Sequence, residues 1–428
     1  MKKQSKTQLL EAFNTFLQFA NLQQIPDPRK PRGIRYDMSH LLRILLTSIA
    51  CGSRSLTSAQ RTYSQASRAV RKALLLPHTV STSALRYLLV KLSPHDLSRA
   101  YIRMARLLLQ NNHFPNNDFP YGVLAVDGKM TLARLHDKQI TQRRGSKAYL
   151  RTLTACLVSN KQKPCIATLL EPPTGNEASH FPQAFRRLLQ QFGNHFQILS
   201  YDAAICKQPY AQQIHEAGKG YVIALKKNQL TLWQQAHMLL ECAGPASCDA
   251  HSVELSGTHI VTRRVWALRV SGYPWWKHTC TLIRIHKKCE DKVTGCLQQE
   301  ERYFISNIPV SPNRTVSCGD NISGRGLCAK QWLKLIRLHW GVENNVHGFL
   351  DKQLREDDHP WLYEARGLAN MVYLRRMIAL FWSVYRQQMC ASKRPCGSWP
   401  DTAHRMLYLV WTCRVLLGKV GSLILDSS

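Results

Sequence analysis

Tyr121-Gly122-Val123-Leu124-Ala125-Val126-Asp127-Gly128-Lys129 is a short apolar run that ends on an acid, a glycine and a lysine. A run of this length predicts a buried strand, with Asp127 at its carboxyl end on the rim where open α/β sheets build their sites. Working outward, Ala148 to Val158 and Cys165 to Leu170 are two more apolar runs, separated by turn-forming Asn160, Lys161 and Pro164. The three predict a meander. Ser179 to Phe192 has helical spacing, His195 to Tyr201 returns to strand character, Pro209 to Ala217 predicts a second helix and Tyr221 to Leu225 a fifth strand. The expected order is βββαβαβ, and the fourth strand also closes on an acid, in Leu199-Ser200-Tyr201-Asp202.

After Asn228 the pattern turns irregular and then β-rich, at Thr258 to Val270, Thr279 to Ile285 and Arg302 to Ile308, which predicts a mainly β insertion over 229–325. Helix resumes near Ala329 and is expected to continue, with interruptions, to about Leu425. Glu343 lies at the edge of a helical stripe of Trp332, Leu335, Ile336, Val342, Val346 and Leu350. On the other side, residues 1–110 read as helical, with Leu9, Phe13, Phe16, Leu17 and Phe19 on one face and Leu41, Leu42, Leu45 and Leu46 on the next. Three prolines between Ile25 and Gly33 break the two and predict an extended basic strap. The expected units are 1–110, 121–228, 229–325 and 326–428, the second and fourth together forming the core.

The 428-residue chain carries 58 Lys plus Arg against 27 Asp plus Glu, a formal charge of +31, and 44% hydrophobic residues exclude a disordered or fibrous chain. Such an excess repels itself in a free globule and points to a polyanion, with nucleic acid first. The first 110 residues alone hold 18 basic and 4 acidic side chains. Fourteen cysteines without a CxxC pair read as scattered reduced thiols. No apolar stretch reaches the roughly 20 residues of a bilayer span, and no secretory h-region follows the basic start, so a soluble cytoplasmic protein with no membrane contact is expected.

Acids are scarce, and Asp127, Asp202 and Glu343 sit beside apolar sequence, 75 and then 141 residues apart. A half-buried carboxylate needs a cation, and three converging on one place would suit Mg²⁺ or Mn²⁺, hard ions with oxygen ligands. Two such ions about 4 Å apart can activate a water and steady the leaving oxygen of a phosphodiester. Each acid alone is also compatible with a cap, a salt bridge or a surface charge.

The strand order with acids after the first and fourth strands, a β insertion and then Glu on a helix resembles the RNase H-like core of DDE transposases from bacterial insertion sequences. The resemblance is stronger to the branch that includes the H-repeat-associated proteins. The motifs that resemble it are Val126-Asp127-Gly128-Lys129, Tyr221-Val222-Ile223-Ala224-Leu225-Lys226 with Asn228-Gln229, Arg302-Tyr303-Phe304-Ile305-Ser306, and Arg337-Leu338-His339-Trp340-Gly341-Val342-Glu343-Asn344. The N-terminal segment resembles the family's associated domain through Asp27-Pro28-Arg29 and the Leu-rich helix after it. Where the broader clan often has Tyr, Arg, Glu and Lys, this chain has Ile336, His339, Glu343 and Leu350, with Lys352 nearby. Near the second acid the branch more usually has Gly and Gln, and here Ile205 and Lys207 stand.

The resemblance implies a catalytic and metal-binding triad of Asp127, Asp202 and Glu343 with two Mg²⁺ or Mn²⁺ ions. It further implies double-stranded DNA (transposon ends and target) as partner, and a homodimer or larger assembly on paired ends, acting at the bacterial nucleoid. DNA contact is expected of Lys129, Arg143, Arg144 and Lys147 in the basic run after the first acid, and of Lys226, Arg337 and His339 within the motifs, His339 being equally compatible with orienting Glu343 or with a packed helix histidine. Trp275 and Trp276, after Pro274, have two readings: core packing, or stacking on an unpaired base near the transposon end. Asp351 and Asp357 are possible substitute ligands or plain helix charge. Two other functions remain open, a metal-dependent nuclease without strand transfer and a catalytically silent DNA-binding repressor from a decayed element.

Overall fold

The computed structural model describes residues 13–32, 34–66, 68–74, 76, 80–241, 243–311, 326–358 and 360–391. The fold is mixed α/β, with helices at the N-terminus. Residues 13–20 are helical, followed by α1 (Met38–Ala50), α2 (Leu56–Gln65), α3 (Arg68–Ala73), α4 (Thr82–Lys91) and α5 (Pro94–Gln110). The Asp27-Pro28-Arg29 segment forms neither helix nor strand. The Arg29 guanidinium folds back on Asp27, at 2.6 Å, and donates to the Tyr36 carbonyl at 2.8 Å, closing the break between helices.

One mixed sheet follows, built from β1 (Val123–Ala133), β2 (Thr141–Arg144), β3 (Lys147–Leu157), β4 (Cys165–Leu170), β5 (Ile198–Tyr201), β6 (Gly220–Leu225), β7 (Ala250–Ser256), β8 (His259–Arg269), β9 (Thr281–Asp291) and β10 (Leu297–Ser306). The order is β2-β3-β1-β5-β6-β10-β9-β8-β7, with β4 also on β3. β1, β5 and β6 are parallel neighbours, and the other pairs are antiparallel. Helices α6 (Glu177–Phe192) and α7 (Gln208–Glu216) connect β4 to β5 and β5 to β6.

Two expectations need correcting. The first strand does not end at Asp127: β1 runs on to Ala133, paired with β3, because Lys129, Thr131 and Ala133 alternate inward in period two. The insertion is also not a unit apart, since β10 pairs antiparallel with β6 and continues the central sheet. It opens with a helix, α8 (Leu230–Leu240), and contains β7, a polar alternating strand that no apolar run announces. Of the expected insertion, 312–325 lies outside the described residues, as does the C-terminal helix beyond 391.

The chain then forms α9 (Ala329–His339), a π-helical stretch (Val342–His347), α10 (Gly348–Lys352) and the long α11 (Ala365–Ala391). All six residues of the predicted stripe around Glu343 are buried. α11 packs into the N-terminal helices: Phe381 meets Phe13 and Phe16 at 4.8 and 5.1 Å, and Asn370 Nδ2 donates to the carbonyls of Leu89 and Leu92, both at 2.8 Å. That amide satisfies carbonyls which the end of α4 leaves open. Among the described residues no helix is long and apolar enough to cross a membrane, and the cysteines whose side chains are described are free thiols.

Candidate active site

β1 and β5 run side by side only over Val123–Ala125 and Ile198–Ser200. Beyond that they part, and side chains from both strand ends and from the π-helical stretch fill the opening. Asp202 caps the short 3-10 turn after β5, accepting from the Ala204 amide at 2.8 Å. Asn228, just past β6, donates to the Ala203 carbonyl at 2.7 Å and pins the same turn. Asp127 enters from β1 and Glu343 from the π-helical stretch. His347, four residues after Glu343, lies on the same side of the π-helical stretch, where its Nδ1 stands 3.4 Å from Asp127 Oδ2.

The structure therefore brings the three predicted acids to one rim, with two residues that sequence reasoning missed. His347 is held neutral, with a pKa pushed down to about 3 by burial, aided by the Arg376 and Lys129 charges. Glu177, the first residue of α6, receives the Tyr201 hydroxyl on Oε1 at 2.6 Å. Burial raises the Asp127 carboxyl to about 7, and the carboxylates of Glu343, Glu177 and Asp202 push in the same direction. Asp127 thus faces like charge from three sides.

The chemistry of this donor set fits a hard divalent cation: carboxylate oxygens that repel one another, as two or more must when no cation separates them. Two further observations agree. His347 Nε2 is buried without a hydrogen-bond partner, and Gly128 leaves a space beside Asp127 that a Cβ would fill, 2.6 Å from Glu177 Oε2. Among the described residues no three such side chains close on one point as they stand, so the acids converge without forming a finished cage.

A charged cluster locks the Glu343 segment to β1. Lys129 Nζ reaches Asp351 at 2.7 Å and Asp357 at 3.0 Å, and although burial works against its charge, Glu356 and those two acids keep its pKa above the ordinary value. Asp351 and Asp357 thus both pair with Lys129, Asp357 from an exposed position. On the other side Arg302 from β10 lies 3.9 Å over the Trp340 ring, tying the insertion to the helix just ahead of Glu343.

Several residues expected at DNA lie elsewhere. Lys129 is buried in its clamp, because three acids from the far end of the chain neutralise it in the fold. His339 is buried too, its Nδ1 3.0 Å from Ser200 Oγ, and burial with the Arg302 charge lowers its pKa to about 4. It positions α9 against β5. Arg337 is exposed but ion-paired with Glu254 on β7. Arg143, Arg144 and Lys147 are exposed on the β2–β3 hairpin, which lies toward the carboxyl end of β1 on the active-site side, and Lys226 is exposed just past β6.

The two tryptophans sit at the wrong end of the sheet for an active-site base. Their loop precedes Thr279 and Thr281; the former meets the Tyr221 hydroxyl at 2.9 Å and the latter the Ile308 carbonyl at 2.6 Å, beside the amino end of β6. Trp275 is buried in the main core and Trp276 packs half-buried against it. Trp275→Ala should then cost about 3–5 kcal/mol of stability. Urea unfolding checks this, and a stable variant with impaired DNA processing would restore the stacking reading.

Comparison with known proteins adds a family. The family model described as Transposase DDE domain matches residues 118–382, and one described as DDE_Tnp_1-associated matches residues 19–105. Two proteins of Escherichia coli (strain K12), "Putative protein YbfL" and "H repeat-associated putative transposase YhhI", are each 28% identical over 247 residues, 55% of this chain. The matched stretch is 57% of each relative, so the chain spans little more than half their length. A chain from the cryo-EM structure of a piggyBac transposase synaptic complex with hairpin DNA superposes on 98% of this one and 84% of its own length, at TM-score 0.46 and 10% identity, too low to decide the fold.

Proposed function

Because this chain belongs to the Transposase DDE domain family, we propose that it is an insertion-sequence transposase with an RNase H-like catalytic core. In this reading it binds the element's terminal inverted repeats, cuts a phosphodiester at each end to free a 3′ hydroxyl, and joins that hydroxyl to target DNA at the nucleoid. The observation that carries it is the gathering of Asp127, Asp202 and Glu343 at one sheet rim, where Asp127 has its carboxyl raised to about 7 by burial and by neighbouring carboxylates.

Asp127, Asp202 and Glu343 would hold the Mg²⁺ or Mn²⁺ ions. When bound, a pair of such ions supplies Lewis-acid polarisation of the phosphoryl oxygen and a water acidified toward neutral pH. The chain's own residues do the rest. Asn228 holds the Asp202 turn, and neutral His347 orients Asp127. The Lys129 clamp and the Arg302–Trp340 stack fix the Glu343 segment from both ends. Arg143, Arg144, Lys147 and Lys226 are exposed past the carboxyl-end halves of β1 and β6 and would position the phosphate backbone.

A dimer or larger assembly on paired ends is part of this reading. One observation favours the rival, a catalytically silent DNA-binding protein: His339, where the wider clan often carries Arg, is buried against Ser200. Cutting separates the two. The transposase nicks its own element's ends in Mg²⁺, the rival binds them and leaves them whole, and a nuclease without strand transfer yields nicks but no joined products.

The N-terminal helices are proposed to recognise the ends. Arg32, Arg35, Arg61, Arg68 and Lys72 are exposed there. Deleting the segment would strip α11 of its packing, so charge neutralisation is the cleaner experiment. Changing these five to Gln should weaken binding and flatten the log-log salt dependence by about 0.9 for each phosphate that is no longer neutralised. An unchanged slope in fluorescence anisotropy titrations would move end recognition elsewhere.

A further inference from the structure

Glu177 plays no part in the triad, yet its surroundings are those of a site residue. Its Oε1 accepts from Tyr201, the last residue of β5 and the neighbour of Asp202, so one strand end presents both carboxylates. Its Oε2 lies across β1, 2.6 Å from where a side chain on residue 128 would begin. Only glycine there lets the carboxylate approach the strand next to Asp127.

No ion pair of Glu177 is found among the described residues. Arg151, the nearby cation, is ion-paired with Glu171 at 2.5 Å and donates to the Gly175 carbonyl at 2.9 Å. Glu177 is thus half-buried among carboxylates, with a neutral hydroxyl as its bonded partner. Asp202 and Glu171 stand near it with like charge, and the opposite charge of Arg151 is shared with Glu171, an arrangement that a bound cation would relieve.

We propose that Glu177 is a fourth carboxylate of the metal site, turned toward the same divalent cations as Asp127, Asp202 and Glu343 by the Tyr201 hydroxyl and the side-chain-free space at Gly128. This inference rests on the metal-site reading above. It adds an acid from α6 to those from β1, the turn after β5 and the π-helical stretch.

The test is Mn²⁺ binding to the purified full chain, followed by electron paramagnetic resonance without DNA or turnover. Four variants are compared with wild type: Glu177→Gln, which keeps the acceptor for Tyr201, Tyr201→Phe, Asp127→Asn, and Glu216→Gln as an exposed control on α7. We expect Glu177→Gln to weaken Mn²⁺ about tenfold or remove one ion, Tyr201→Phe to weaken it less, and Glu216→Gln to change nothing. The Mn²⁺-induced rise in melting temperature should shrink in parallel, because a ligand stabilises in proportion to its affinity. Wild-type affinity in Glu177→Gln, with loss in Asp127→Asn, overturns this inference and leaves the triad standing. A lower melting temperature of metal-free Glu177→Gln with unchanged Mn²⁺ affinity marks a structural role and also overturns it. Unaltered binding in both Asp127→Asn and Glu177→Gln, or none in wild type, overturns the triad reading and this inference together.

Discussion

Asp127→Asn, Asp202→Asn and Glu343→Gln should each lower Mg²⁺-dependent cleavage of transposon-end DNA by about 10³-fold or more, equivalent to roughly 4 kcal/mol of transition-state stabilisation. Each change keeps the shape of the side chain and removes one negative charge. DNA affinity should hold or rise, since a carboxylate facing a phosphate is repulsive. The folded protein should not suffer either: Asp127 stands among Glu343, Glu177 and Asp202, and deleting one charge eases that repulsion. Asp351→Asn and Asp357→Asn make the discriminating controls. Both acids bond Lys129 rather than facing the opening, so each should lose no more than about 10–100-fold, as for residues that hold a ligand in place. Single-turnover cleavage measures all five. A Glu343→Gln enzyme that still cuts, beside an Asp351→Asn enzyme that does not, would reassign the third acid.

The second large effect concerns stability. Glu356 and Arg376 form an ion pair with both side chains fully buried, and Arg376 Nε also donates to Thr168 Oγ1 at 3.2 Å. Burial pushes the Glu356 carboxyl up, but Arg376 and Arg375 overcome it and hold the pKa below the ordinary value. Glu356→Gln leaves an arginine pair in the core without its counter-charge and should cost about 3–5 kcal/mol. Arg86→Ala breaks an ion pair with Glu364 in which the arginine is 61% exposed, and should cost under about 1 kcal/mol. Replacing Glu356 and Arg376 together with Leu and Met should recover only part of the loss, because Arg375 stays buried without Glu356. Urea unfolding reads all three, and equal losses at the buried and exposed pairs would contradict the account.

The parts of this site that are legible in the sequence are those written locally. Val123–Val126 and Ile198–Tyr201 are short, largely apolar runs, and an acid directly after such a run reads as a rim residue, although β1 itself runs on past Asp127. The stripe around Glu343 is likewise a one-helix pattern. What is not legible depends on partners far along the chain. Lys129 reads as a phosphate-binding residue because it is basic and follows an acid, yet its acceptor is 222 residues away at Asp351. Glu177 stands between Gly175 and the helical spacing that begins at Ser179, with nothing local to mark it, and only the packing of α6 beside Gly128 brings it to the rim. β7 escapes notice for another reason: Ala250–Ser256 alternates His, Ser and Glu with apolar residues on a half-exposed strand, and a window that looks for apolar runs passes over it. The tryptophan pair shows that two adjacent indoles can be housed when one enters the core and the other covers it.

The most direct measurement is cleavage by the unmodified protein. Duplex DNA carrying the element's own terminal repeat, labelled on each strand in turn, is incubated with purified protein in EDTA, Ca²⁺ or Mg²⁺. The account predicts binding in all three, nicks at the element boundary in Mg²⁺ alone that expose a 3′ hydroxyl, and joined products when target DNA is added. Full binding with both strands intact in Mg²⁺ and in Mn²⁺ would contradict it and leave a DNA-binding protein in place of a transposase.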